Sequence, residues 1–238
     1  MYLVVENNTW RIIHTPDQYA GIFRPNDPER NMVNKLTTRV INIDQFPIEA
    51  LPAVTAICGL PNTHKSRLAV ALAKMVDRSK NVLLIDPTGG TISFPGICGW
   101  SDGRITEKKL MAVLRTYVKD GFGWTVIIDS MGELELGVDP HPSELDRATE
   151  SRRLCAVLKK MTQSLPVKFI LLEHERTQIM PFMQPDPTPL TPVPDFSLTD
   201  LWIRTHGATK DEVTITVSTQ PDVVSAPWTL RLNDIPNH

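Results

Sequence analysis

Lys65 and Ser66, standing shortly after Gly59, are the side chains whose types and spacing carry the most specific chemistry in this chain. They fit the phosphate-loop pattern G-x-x-x-x-G-K-[ST]. In such a loop backbone N–H groups surround a di- or triphosphate, the lysine reaches the outer phosphates and the hydroxyl holds Mg²⁺. The residues between are Leu60, Pro61, Asn62, Thr63 and His64, and His64 stands where the second glycine belongs. Glycine there lets the main chain approach phosphate and accepts a positive φ, which a residue with a side chain adopts at a cost. Three consequences are open: a tilted lysine, an added partly charged donor, or a lapsed site. The plain alternative is a strand, a Pro-Asn turn and an amphipathic helix that happens to start with Lys-Ser.

Two acids stand in comparable places. Asp86 ends Asn81-Val82-Leu83-Leu84-Ile85, and Asp129 ends the β-branched run Trp124-Thr125-Val126-Ile127-Ile128. A carboxylate at the carboxyl end of a strand in an open α/β sheet lies on the rim where ligands bind. Asp129 could equally cap a turn. With Lys65 and Ser66 upstream, Asp129 resembles the second Mg²⁺-organising aspartate of phosphate-loop NTPases.

The elements that must position these groups follow from hydrophobic periodicity. Val54, Ala56 and Ile57 suit a central strand running into the loop, and Leu68, Ala69, Leu72, Ala73 and Val76 fall at helical spacing after it. Residues 91–103, rich in Gly and Pro, read as a loop. A helix is expected from Thr106 to Lys119, stopped by Gly121 and Gly123, and another from about Ser143 or Ala148 to Ser164. Lys168 to Arg176 reads as a fourth strand ending in a polar cluster, and Leu201-Trp202-Ile203-Arg204 as a fifth. Val213 to Val217 and Trp228 to Leu232 read as an antiparallel pair at the sheet edge. Six prolines between Pro181 and Pro194 exclude helix and central strand there. Ahead of the loop, Met1 to Val5 and Trp10 to His14 carry a hairpin signature. Residues 1–45 are therefore expected as a small β-rich N-terminal extension, with residues 46–238 as the nucleotide-binding domain.

The chain has 238 residues, is 41% hydrophobic and 22% charged and has a net charge of −2, as in an ordinary globular α/β protein without a global basic field. Cys58, Cys98 and Cys155 are odd in number and widely spaced, which makes neither a disulfide framework nor a zinc cluster and fits a reducing compartment. No secretory leader and no apolar run of membrane-spanning length is read, so the expected location is cytoplasmic, or virion-associated should the chain be phage-encoded. The cations Arg147, Arg152, Arg153, Lys159 and Lys160 read most simply as a solvated helix face.

Strands with helices between them, Lys-Ser after the first and Asp129-Ser130 after the third, resemble the RecA-like ATPase core. Val126-Ile127-Ile128-Asp129-Ser130 is similar to that family's acid strand, and Phe169 to His174 takes the place of its next strand. Val54-Thr55-Ala56 and Gly121-Phe122 are similar to strings in the hexameric packaging NTPase of double-stranded RNA bacteriophages. The resemblance implies a mostly parallel twisted sheet flanked by helices with an antiparallel C-terminal edge. It also implies ATP and Mg²⁺ as ligands and a hexameric ring acting on nucleic acid, RNA or DNA, single-stranded in preference. It makes Lys65 and Ser66 the phosphate and metal contacts and Asp129 the metal organiser. Asp86 becomes the carboxylate available as base where the family carries glutamate, and His174 the γ-phosphate sensor. Arg204, Arg231 and Lys210 become candidates for a cation reaching a neighbour's site. The leading expectation is an ATP-driven motor, a packaging NTPase or a helicase. The alternative is a binding or assembly module with little hydrolysis. A small-metabolite kinase ranks last, since the Pro-rich excursion has no arginine for a lid.

Overall fold

A computed structural model describes residues 2–6, 9–13, 39–46, 48, 50–88, 94–118, 122–136, 144–174, 198–220, 223–225 and 227–232. The expected Pro-rich excursion at 181–194 lies outside the described residues. Strands β1 (Tyr2–Glu6) and β2 (Thr9–Ile13) pair antiparallel as a sheet of their own. The main sheet contains β3 (Arg39–Asn42), β4 (Val54–Gly59), β5 (Asn81–Asp86), β6 (Cys98–Ser101), β7 (Trp124–Ile128) and β8 (Val167–His174). It is completed by β9 (Leu201–Ala208), β10 (Glu212–Gln220), β11 (Val223–Val224) and β12 (Trp228–Arg231). The order is β3-β12-β10-β9-β4-β8-β7-β5-β6, with β11 on β10. From β9 through β6 every pairing is parallel, and β10 is antiparallel to both β9 and β12.

Strict alternation divides the central strands between two faces. Ile57, Val82, Leu84, Ile127, Ile170 and Leu172 pack on one face beneath helix α1 (Lys65–Ala71), which continues as a π-helical turn over Leu72–Val76. Val54, Leu83, Ile85, Val126, Ile128, Phe169 and Leu171 pack on the other beneath α2 (Glu107–Tyr117) and α3 (Glu144–Ser164). Buried on both faces, these strands read as continuous apolar runs. Thr106 caps α2 by accepting the Lys109 N–H at 3.3 Å.

The elements differ from the sequence reading in two places. Cys98–Ser101, within the stretch read as a loop, is a parallel edge strand on β5. Four residues around Gly99, half-buried to exposed, carry too little periodicity to announce a strand, and pairing with β5 makes it one. The fifth strand extends to Ala208, because β10 holds its polar end through the ladder. Arg39–Asn42, in the stretch expected as extension, runs parallel to β12 at the edge of the main sheet.

The amino-terminal end of the sheet is gathered by Asp77, whose side chain is 6% exposed. Its Oδ1 accepts Lys168 Nζ and the Leu51 N–H at 3.2 Å, and its Oδ2 accepts Ser79 Oγ at 2.6 Å and Thr125 Oγ1 at 3.2 Å. Burial alone would push this carboxyl up, yet the bonds from Lys168, Ser79 and Thr125 outweigh it and hold the group below its ordinary range. A depressed folded value means stability that is present above the unfolded value, near 3.9, and lost as pH falls through the folded one. Asp77→Asn is therefore expected to cost on the order of 2 kcal/mol at neutral pH. Denaturant titrations from about pH 7 to 2 should also show the variant lacking part of the wild-type loss in acid.

Candidate functional site

The parallel register brings five strands to one rim at their carboxyl side. Gly59 of β4 stands opposite His174 of β8 and Thr205 of β9, and the Asp129 N–H, just past β7, donates to the Ile85 carbonyl beside Asp86. Residues 60–64 leave this rim and deliver the chain to α1, so Lys65 and Ser66 sit above the strand ends.

Gly59 is required by close approach. A Cβ there would overlap Thr205 Oγ1 and stand 2.7 Å from the Thr205 carbonyl oxygen. Thr205 Oγ1 bonds to the Cys58 carbonyl at 3.1 Å and to Thr63 Oγ1 at 2.6 Å, and Thr63 Oγ1 lies 2.8 Å from the Leu60 carbonyl. The loop is thus stitched to β9 at both ends. Asn62 and His64 are both left-handed, with φ of 62° and 58°. Asn tolerates that region through local hydrogen bonding, whereas for His it costs roughly 1 kcal/mol that other contacts must offset.

Lys65, 5% exposed, donates from Nζ to the Gly59 carbonyl at 3.0 Å and the Leu60 carbonyl at 2.8 Å. The ammonium lies inside the loop, where its charge faces carbonyl dipoles. Ser66 donates from Oγ to Asp129 Oδ2. Asp129 is buried, and desolvation raises its pKa; the Ser66 bond and the nearby charges of His174 and Lys65 pull it down, and Asp86 pushes it up again. The electrostatics therefore couple Lys65, Asp86, Asp129 and His174 through a single carboxylate. The Asp129–Ser130 peptide is cis.

Asp86 is 2% exposed. Its Oδ1 accepts both the backbone N–H and the hydroxyl of Thr88, at 2.8 and 2.6 Å, while Oδ2 is buried with no hydrogen-bond partner. An orphaned carboxylate oxygen costs free energy unless something else satisfies it. Together with Ser66 Oγ and Asp129 Oδ2 it supplies the hard oxygen donors that suit Mg²⁺ and its waters. The residues present fit that ion.

Arg204 is not part of this constellation. Ile203 and Thr205 face α1, so alternation along β9 puts Arg204 with Trp202 on the opposite face. Arg231 Nε bonds to Glu212 Oε1 at 3.2 Å, and Lys210 is exposed in the β9–β10 turn. Two residues escaped the sequence reading. Glu173, 6% exposed, accepts the His174 N–H at 3.2 Å, and a Cβ on Gly132 would come within 2.8 Å of its Oε1. An acid at a strand's carboxyl end was the available signal. Arg67, buried in α1, donates to the carbonyls of Lys210 at 2.6 Å and Leu232 at 3.1 Å. Burial pulls its pKa down, with the charge of Asp211 opposing. No periodicity announces that pairing.

No family model matches the chain, and no curated protein matches it in sequence. Solved structures do match. They include a DnaB-like replicative helicase, solved in a study of its interactions with primase, at a TM-score of 0.55 and 14% identity over 90% of this chain and 68% of that one. They also include a second protein's ATPase domain, solved on its own, at 0.56 and 14% identity over 88% of this chain and 95% of that one. The chain shares the α/β fold of these two structures: a mixed, mostly parallel sheet flanked by helices. Neither of these two structures lends support to the packaging subfamily.

Gly59→Ala tests the close approach. It is expected to cost about 3 kcal/mol through overpacking against Thr205. Adding Thr205→Ala should recover only part of that loss in a denaturation cycle, because the Thr205 carbonyl oxygen remains in the way.

Proposed function

We propose that the chain is an ATP-driven, RecA-like motor that acts on nucleic acid as a ring, with residues 46–238 forming the nucleotide-binding unit and residues 1–45 an extension. The observation that carries the reading is the convergence of Lys65, Ser66 and Asp129 at one loop, with the orphaned oxygen of Asp86 on the same rim. Residues 59–66 would cradle the phosphates, and Lys65 would exchange its two carbonyl partners for phosphate oxygens. Ser66 and Asp129 would hold Mg²⁺, which supplies charge neutralisation at the outer phosphates. Asp86, fixed by Thr88, would align and deprotonate the attacking water, and His174 would donate to the γ-phosphate. Arg204, Lys210 and Arg231 would act in a neighbour's site of the ring. The replicative helicase of like fold supports nucleic acid as the setting. Among the described residues no helix is long and apolar enough to cross a membrane.

A second reading, a module that binds nucleotide and turns over little, draws on a different observation. Lys65 already satisfies itself on the loop's own carbonyls, and His64 occupies the glycine position.

Calorimetry with Mg-ATP, turnover measured with and without RNA and DNA, and particle mass together separate these readings. Lys65→Ala is expected to abolish detectable binding. Asp86→Asn should keep binding and lower turnover at least about 100-fold, the scale of a lost general base. Binding without nucleic-acid-stimulated turnover favours the module, and a strictly monomeric wild type with no Mg-ATP uptake would sink both.

A further inference from the structure

His64 is where the chain departs from the phosphate-loop pattern, and the structure shows what the departure is bonded to. Its Nε2 lies 2.6 Å from the carbonyl oxygen of Thr209, in the turn between β9 and β10. A carbonyl only accepts, so Nε2 carries the hydrogen and donates it. On the near side, Thr63 Oγ1 meets Thr205 Oγ1 at 2.6 Å. On the far side, Arg67 donates to the Lys210 carbonyl at 2.6 Å. Within residues 63–67, then, three side chains fasten the end of the loop and the start of α1 to the end of β9 and the turn that follows. A glycine at position 64 would remove the middle fastening and free a backbone that is now left-handed, with φ 58° and ψ 29°.

We infer that His64 is a positioning residue: its imidazole clamps the loop to the Thr209 carbonyl, so that residues 60–66 hold their phosphate-receiving shape before ligand arrives. The inference rests on the reading of residues 59–66 as a nucleotide-binding loop. Glycine at position 64 would leave the main chain freer, and more of its ordering would fall to the ligand. Here the ordering is done in advance by a neighbouring turn, which lowers the entropy lost on binding. The consequence opposes what the motif suggests, because restoring glycine weakens the site instead of repairing it. The same bond ties the loop to the turn that presents Lys210, so a change in one is transmitted to the other.

The test compares wild type, His64→Gly and His64→Gln in two measurements. Calorimetry reads Mg-ATP affinity, and hydrogen exchange on the ligand-free protein reads residues 60–66 and 205–211. His64→Gly is expected to bind roughly tenfold more weakly and to exchange faster in both segments. His64→Gln carries an N–H the same number of bonds from Cβ and is expected to stay near wild type in both. Unchanged exchange in His64→Gly overturns the inference, as does an affinity equal to or tighter than wild type. If the wild type takes up no Mg-ATP, the proposed function fails. The exchange measurement then decides the clamp by itself, faster exchange in His64→Gly supporting it and unchanged exchange overturning it.

Discussion

The register of β4 between β8 and β9 is the constraint on which the rest depends. Set as it is, Gly59 meets His174 on one side and Thr205 on the other. Parallel pairing then lines up the ends of β7 and β5 so that Asp129 and Asp86 share the rim. Because side chains alternate with a period of two, a slip of one residue would turn Ile57 from one core to the other and face Thr205 away from the loop. Two separate hydrophobic cores, one on each face, forbid that slip. The site is therefore specified by apolar packing some distance below it.

The two ends of the sheet treat charge differently. At the amino-terminal end Asp77 is buried and surrounded by four donors, and its ionised form is favoured despite desolvation. At the carboxyl end Asp129 is buried with a raised pKa, Asp86 keeps one oxygen without a partner, and the Ser130 hydroxyl is also buried and unbonded. The first arrangement stabilises the fold. The second leaves polar groups under-satisfied, a condition that a bound cation and anion would relieve. The contrast supports treating this rim, and not the Asp77 cluster, as the place of chemistry.

The loop itself illustrates how a departure from a motif changes meaning once neighbours are known. Read along the chain, His64 is an obstacle in a position made for glycine. In the fold it is one of three side chains fastened to β9 and the following turn. The Arg67 guanidinium, indistinguishable in sequence from any helical surface cation, is buried and spent on two backbone carbonyls.

What the amino-acid order determined by itself was local: the apolar runs that become β4, β5, β7 and β8, the helix starting at Lys65, and the Asp86 and Asp129 carboxylates at strand ends. Each of these is set by periodicity or by the chemistry of adjacent residues, and such information is contained within a dozen positions. Only the tertiary structure decided that Cys98–Ser101 is an edge strand, that Glu173 is buried under Gly132, that Arg204 faces away from Lys65, and that His64 meets Thr209. Those facts depend on pairings across as many as 145 positions of chain, as between His64 and Thr209. The energy that selects such pairings comes from burying surfaces against each other, and no single stretch carries it.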